Sequence, residues 1–258
     1  MRVSRVAQVV LGVDDKNTLL RLPPAVPAFR LLRRRGPLPG LQRAVLALLV
    51  AVLLLAGALP GHAWDSVQML ATAQRLGPRA LAGARALQAQ LQAAAGQDEA
   101  EQLLAVNQFF NQRIVFTDDE QVWGVNDYWA SPLELLDKGR GDCEDFAIAK
   151  YFSLLALGVP PARLRLVYVR ALIGGPGGVQ TPHMVLAHYA RPDAEPLILD
   201  NLIGELRPAS RRPDLTPVFS FNSEGLWQGT AGASAGDPVA RLSRWREVLA
   251  KARAEGFR

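Results

Sequence analysis

The stretch that decides the fold is Gly139-Arg140-Gly141-Asp142-Cys143-Glu144-Asp145-Phe146-Ala147-Ile148-Ala149-Lys150-Tyr151. Asp142 stands where a helix N-cap belongs, with Asp145 three positions on. The helix it opens runs to about Leu157, and Gly158 with Pro160 stops it. Between Phe146 and Leu157 only Lys150 and Ser153 are frankly polar, with Tyr151 intermediate. A helix apolar on nearly every side is enclosed by other elements. The single cysteine of the chain, Cys143, is therefore expected at the exposed N-terminal tip of a buried central helix. Its acidic neighbours Asp142, Glu144 and Asp145 favour the neutral thiol, whereas the free N–H groups and positive dipole end of the tip favour the thiolate.

Upstream of this helix the sequence is helical. Asp65-Ser66 caps a helix over residues 67–76, Gly77-Pro78 breaks it, and an Ala/Leu/Gln-rich helix follows to about Ala95. Asp98 opens another, with Leu103, Leu104, Val106, Phe109 and Phe110 as its apolar stripe. Residues 114–116 read as a short strand, 117–121 as an acidic loop and 123–129 as an aromatic loop; Ser131-Pro132-Leu133-Glu134 has the form of a capping box. Downstream the pattern changes to alternation. Residues 164–170 read as a strand, 174–178 as a glycine-rich hairpin loop, and 183–190, 197–200 and 218–221 as further strands. Residues 229–236 read as flexible, and Asp237 caps a last amphipathic helix with Val239, Leu242, Trp245, Val248 and Leu249 inward. Helices followed by strands make an α+β domain.

Residues 1–63 stand apart. They hold nine Lys/Arg and two Asp, which leaves 20 basic and 22 acidic residues in 64–258. The high pI is thus a property of the leader and gives no support to nucleic-acid binding. Arg33, Arg34, Arg35 and Arg43 precede an apolar run from Ala44 to Leu59 that ends in Gly61-His62-Ala63. This reads as an extension plus signal peptide cleaved after Ala63, with a retained membrane anchor as the alternative. In either case residues 64–258 are exported as one domain. With one cysteine that domain forms no internal disulfide, so its thiol calls for another reason.

Two histidines lie in the exported part. His183 starts a strand after the glycine-rich loop; His188, five further on, points to the opposite face. Asp200 ends the next strand, and antiparallel pairing of the two would bring it near His183. The carboxylate would then orient an imidazole that takes the proton of Cys143. Cys, His and Asp in that order, with the nucleophile on a helix tip and its partners on adjacent strands, is the transglutaminase-like arrangement.

The residues go further. Asp127-Tyr128-Trp129-Ala130-Ser131-Pro132, the Gly139–Tyr151 stretch, Leu157-Gly158-Val159-Pro160, Leu164-Arg165-Leu166-Val167-Tyr168-Val169, His183-Met184-Val185-Leu186, Leu199-Asp200-Asn201 and Pro217-Val218-Phe219-Ser220-Phe221-Asn222 closely resemble the bacterial transglutaminase-like cysteine proteinases. The likeness spans residues 107–227. It implies a transglutaminase-like, papain-like core in which the central helix packs on an antiparallel sheet, with Cys143 as nucleophile, His183 as base and Asp200 as its orienter. It also implies a calcium-dependent periplasmic endopeptidase. Such enzymes cut a large surface adhesin near its N-terminus at a pair of alanines, promote biofilm dispersal, and are sequestered by an inner-membrane cyclic-di-GMP receptor.

The same resemblance places calcium (Ca2+) at Asp142, Glu144 and Asp145. Calcium takes carboxylate and carbonyl oxygens, but helix geometry cannot aim all three acids at one ion. Asp118, Asp119, Glu120 or backbone carbonyls must contribute, and the sequence does not choose among them. The alternative is that Asp142 and Asp145 only cap the helix. Competing functions are another acyl transfer on the same three residues (cross-linking, deamidation or peptidoglycan peptide cleavage) and a non-catalytic receptor-binding module.

Overall fold

The helix opened by Asp142 is the centre of the structure, a computed structural model that describes residues 64–230 and 236–257. The expected leader, and residues 231–235 of the expected flexible stretch, lie outside the described residues. The helices α1 (Ser66–Leu76), α2 (Pro78–Ala94) and α3 (Glu99–Arg113) come first. The Asp65 carboxylate accepts the Gln68 N–H at 2.9 Å and the Asp98 carboxylate that of Glu101 at 2.9 Å, so both expected caps are present. Next come β1 (Val115–Phe116), α4 (Asp119–Trp123), α5 (Pro132–Lys138), β2 (Arg140–Gly141) and the central helix α6 (Cys143–Ala156). The expected acidic loop therefore ends in a helical turn, α4, with Asp119 and Glu120 in its first turn. The Ser131/Glu134 capping box is formed at the start of α5.

Every residue of α6 from Asp145 to Leu155 is buried. One face of a six-stranded antiparallel sheet encloses it: β3 (Leu164–Ile173), β4 (Val179–His188), β5 (Leu197–Leu199), β6 (Arg207–Pro208), β7 (Leu215–Phe221) and β8 (Leu226–Gln228), in spatial order β6-β5-β4-β3-β7-β8. Alternation divides the strands. Leu164, Leu166, Met184, Leu186, Leu199 and Phe221 join the main core with α6. Val167, Val169, Val185, Ala187 and Ile198 form a second cluster on the other face, against which Ala209 and Leu215 pack. The segment from β6 to β7 thus crosses that second face.

The β-rich half is longer than its alternation suggested. The β3–β4 hairpin pairs in register from Leu164 with His188 to Ile173 with Val179. His183 therefore lies in the middle of β4 rather than at its start. The final helix also differs, being broken at Leu242 into α7 (Pro238–Arg241) and α8 (Ser243–Ala254). Within α8, Trp245 is fully buried among Tyr151, Phe152 and Phe221, at ring-centroid distances of 5.5, 5.9 and 5.3 Å. Its indole N–H donates to the Asn222 carbonyl at 3.1 Å.

Candidate active site

The approach to α6 is tightly specified. Gly139 ends α5 in the left-handed conformation (φ 63°), which turns the chain into β2. At Gly141 a Cβ would stand 2.5 Å from Asp145 Oδ2 and 2.6 Å from Leu135 Cδ1, so only glycine lets this carboxylate fold back over the helix entrance. Asp142 occupies the N-cap position, yet its side chain makes no cap hydrogen bond. The expectation that it caps α6 is corrected here: the carboxylate turns toward other acids instead. Cys143 is half-buried rather than exposed, and its thiol donates to Glu144 Oε2 at 3.0 Å. Burial, then the charge and hydrogen bond of Glu144 and the charge of Asp142, push this thiol well above the ordinary range. The backbone N–H of Met184, the residue after His183, acts on the sulfur in the opposite direction.

His183 and Asp200 meet as their strands pair. β4 and β5 are antiparallel, with Leu186 opposite Leu199. His183 Nε2 lies 2.8 Å from Asp200 Oδ1, and the Leu202 N–H donates to the same oxygen at 3.0 Å. Both side chains are almost fully buried. Burial alone would raise the Asp200 carboxyl; the hydrogen bond and charge of His183, the Leu202 N–H and Arg212 bring it down to about 2. With Nε2 committed to Asp200, Nδ1 is the ring nitrogen left to exchange a proton. His188 Nε2 lies 3.0 Å from Glu99 Oε1.

The acids form overlapping groups; in one, ligand atoms of Asp142 and Glu144 lie within 4.8 Å of each other and of the Cys143 sulfur, and two more are built on Asp119. Ligand atoms of Asp119, Asp142 and Asp145 all lie within 4.8 Å of one another, and so do those of Asp119, Asp127 and Glu144. Asp142, Glu144 and Asp145 thus do not converge by themselves, and Asp119 is the residue of the upstream loop that joins both groups. Asp119 and Asp145 are 2% and 0% exposed. One oxygen of each serves the backbone: Asp119 accepts the Tyr128 N–H, and Asp145 Oδ1 accepts that of Ala130 at 2.7 Å. Asp119 Oδ1, Asp142 Oδ1 and Asp145 Oδ2 are buried without a hydrogen-bond partner. Burial, and then the charges of neighbouring acids with Glu144 foremost, raise all three carboxyls above their ordinary range. Three buried, unpartnered carboxylate oxygens facing one another are what a hard divalent cation satisfies, so these residues fit calcium. Asp127, which the sequence did not single out, also holds Arg244 of α8 at 2.9 Å.

A family model described as bacterial transglutaminase-like cysteine proteinase matches residues 82–214. The chain belongs to this family. Among solved structures it is similar to Legionella pneumophila LapG, with 37% identity and a TM-score of 0.62 over 73% of this chain and 97% of that one. An EGTA-treated form of the Legionella protein gives 38% identity and a TM-score of 0.64, covering 73% and 97%. A calcium-bound form gives 38% and 0.63, covering 72% and 98%. No curated protein matches. As a bacterial transglutaminase-like cysteine proteinase the chain has the α+β fold expected from the order of its elements.

Proposed function

We propose that this proteinase is a calcium-dependent cysteine endopeptidase that works through Cys143, His183 and Asp200. The reading is carried by the buried His183–Asp200 pair, and the N–H of Met184, the residue after His183, is close enough to act on the Cys143 sulfur. His183 Nδ1 takes the thiol proton, and Sγ attacks the carbonyl carbon of the scissile peptide bond to give a tetrahedral oxyanion. The imidazolium returns the proton to the leaving nitrogen as the C–N bond breaks, which leaves a thioester on Cys143. His183 then draws a proton from water, which attacks the thioester and restores the thiol. Asp200 remains ionised throughout, keeps the imidazole in one tautomer and stabilises its charged form. Calcium held by Asp119, Asp142 and Asp145, with Glu144 and Asp127 beside them, would supply fixed positive charge and tie α4 to the head of α6.

The substrate in this reading is a large repeat-type surface adhesin, cut near its N-terminus at an alanine pair after export of the proteinase to the periplasm. An inner-membrane cyclic-di-GMP receptor sequesters the enzyme and so controls biofilm dispersal. The calcium-bound Legionella relative and the family membership support the proteolytic and metal parts. The test is incubation of an adhesin N-terminal fragment with the exported domain. Two products are expected with calcium, and none with EGTA or with Cys143→Ala. Cleavage by Cys143→Ala at the wild-type rate would overturn the reading, and a cross-linked or deamidated product would favour another acyl transfer.

A further inference from the structure

Asp200 has a second partner that the reaction scheme does not use. Arg212 follows the 3₁₀ turn Ala209–Arg211 in the crossover from β6 to β7. It is 3% exposed, and its Nη2 lies 2.7 Å from Asp200 Oδ2. The same guanidinium donates from Nε to Asp214 Oδ1 at 3.0 Å and from Nη2 to Asp214 Oδ2 at 2.7 Å. The two oxygens of the Asp200 carboxylate thus have different partners: Oδ1 accepts hydrogen bonds from His183 and the Leu202 N–H, and Oδ2 is ion-paired with Arg212 without an aligned hydrogen bond. With Oδ1 held by His183 and the Leu202 N–H, a permanent charge fixed beside Oδ2 opposes rotation of the carboxylate about its last torsion.

We propose that Arg212 is a positioning residue for the reaction, a clamp on Asp200 that fixes the plane in which it meets His183. The inference rests on the roles proposed above for Cys143, His183 and Asp200. Arg212 touches neither substrate nor the reacting atoms and acts only through Asp200. Asp214, a third of its side chain exposed, anchors the guanidinium from the solvent side. A purely structural role, pinning the crossover to the sheet, predicts different behaviour: loss of Arg212 would lower stability and leave turnover of the folded protein intact.

The experiment compares Arg212→Met, Arg212→Lys, Asp200→Asn and the Asp200→Asn/Arg212→Met double variant in the calcium-loaded full chain. The activity probe is a fluorogenic peptide with a central Ala-Ala bond. The second readout is the His183 Nε2–H resonance in ¹⁵N-histidine spectra, assigned by its change in Asp200→Asn. Arg212→Met is expected to shift or broaden that resonance and to lower kcat about 10- to 100-fold with KM within about twofold. Arg212→Lys is expected to recover part of the loss, and the double variant to be no slower than Asp200→Asn alone. An unchanged resonance with turnover within about twofold in folded Arg212→Met would overturn the proposal. So would a double variant slower than Asp200→Asn by the full single-variant factor. If Arg212→Met fails to fold, Arg212→Lys decides: wild-type kcat and resonance overturn the clamp, and an intermediate kcat with a moved resonance supports it. If the wild type does not cleave the peptide while the resonance responds as expected, the substrate assignment fails and the clamp stands.

Discussion

At the scale of single residues, the fold sets opposite charge demands on its buried acids. Asp200 is held ionised by His183, the Leu202 N–H and Arg212, against the effect of its own burial. Its folded-state pKa of about 2 lies below the ordinary 3.8, so the folded state binds fewer protons than the unfolded chain across that window. The resulting stability, about 2 kcal/mol, is present above pH 4 and is lost as pH falls through 2. Urea unfolding of the wild type between pH 2 and 5 is expected to show this slope, and Asp200→Asn to lack it. Asp119 and Asp145, by contrast, are buried acids whose carboxyls are pushed up by burial and by the charges of neighbouring acids. Asp119→Asn removes a carboxylate common to both acid groups and is expected to weaken calcium binding at least tenfold by calorimetry. Because Asp119 also accepts the Tyr128 N–H, the amide oxygen preserves that contact, and the apo protein should melt near wild type.

The residue scale is also where the sequence was least complete. The meeting of His183 with Asp200 was legible because strand order is a local signal, and Cys143 at the first turn of α6 because the apolar run that follows it is one too. Asp119 was one of three candidates. What selects it is the formation of α4, which turns Asp119 inward while Asp118 and Glu120 stay outside. Asp127 and Arg212 were missed since each acquires its partner only by tertiary contact, with Arg244 from α8 and with Asp200 from β5. No spacing rule connects such pairs.

At the scale of elements, α6 was legible in full because an unbroken apolar composition has one physical solution, enclosure. Its polar exception carries a consequence. Lys150 is 1% exposed, and burial lowers its ammonium to about 7, with the Asp200 charge acting in the opposite direction. Its folded-state value lies below the unfolded one, so the unfolded chain binds more protons between about 7 and 10.5. Stability contributed by this site therefore rises with pH across that window, by up to about 1.4 kcal/mol per unit. Chemical unfolding from pH 7 to 10 is expected to show the rise, and Lys150→Met to remove it. The start of β4 was misread for a definite reason. Pro182 lies inside the strand, opposite Arg170, and proline ordinarily marks an edge or an end. Glycine-rich and polar residues before it pointed the same way. The break at Leu242 was hidden because the apolar spacing continues through it.

At the scale of the whole molecule, the order of helices before strands indicated the α+β class, and the packing shows why the class suits this chemistry. Cys143 on a helix and His183 on a strand, the nucleophile and base of the proposed reaction, belong to different layers, so their mutual position is as rigid as the core between them. The end of the domain contributes to that core. Glu255, past the last turn of α8, accepts from the Ser131 hydroxyl and from the Leu133 N–H at 3.1 Å, while Lys251 donates to the Trp129 carbonyl at 2.8 Å and pairs with Glu134 at 2.6 Å. The segment from Tyr128 to Ser131, whose other side serves Asp119 and Asp145, is thereby held from both directions.

The two limits of the domain also touch. Trp64 and Phe257 form an antiparallel bridge, the Asp65 N–H donates to the Gly256 carbonyl at 2.6 Å, and Gln68 Nε2 donates to the Ala254 carbonyl at 3.0 Å. Topologically the domain is a closed ring whose seam is already stitched by hydrogen bonds, so the place where the polypeptide starts is interchangeable with others along its surface. Joining residue 257 to residue 64 through a short glycine linker and opening the chain in the exposed turn at 175–177 should give a permuted proteinase with a melting temperature within a few degrees of the parent. Loss of cooperative unfolding in that permutant would show that the seam is needed as an entry point for folding rather than only as a closure.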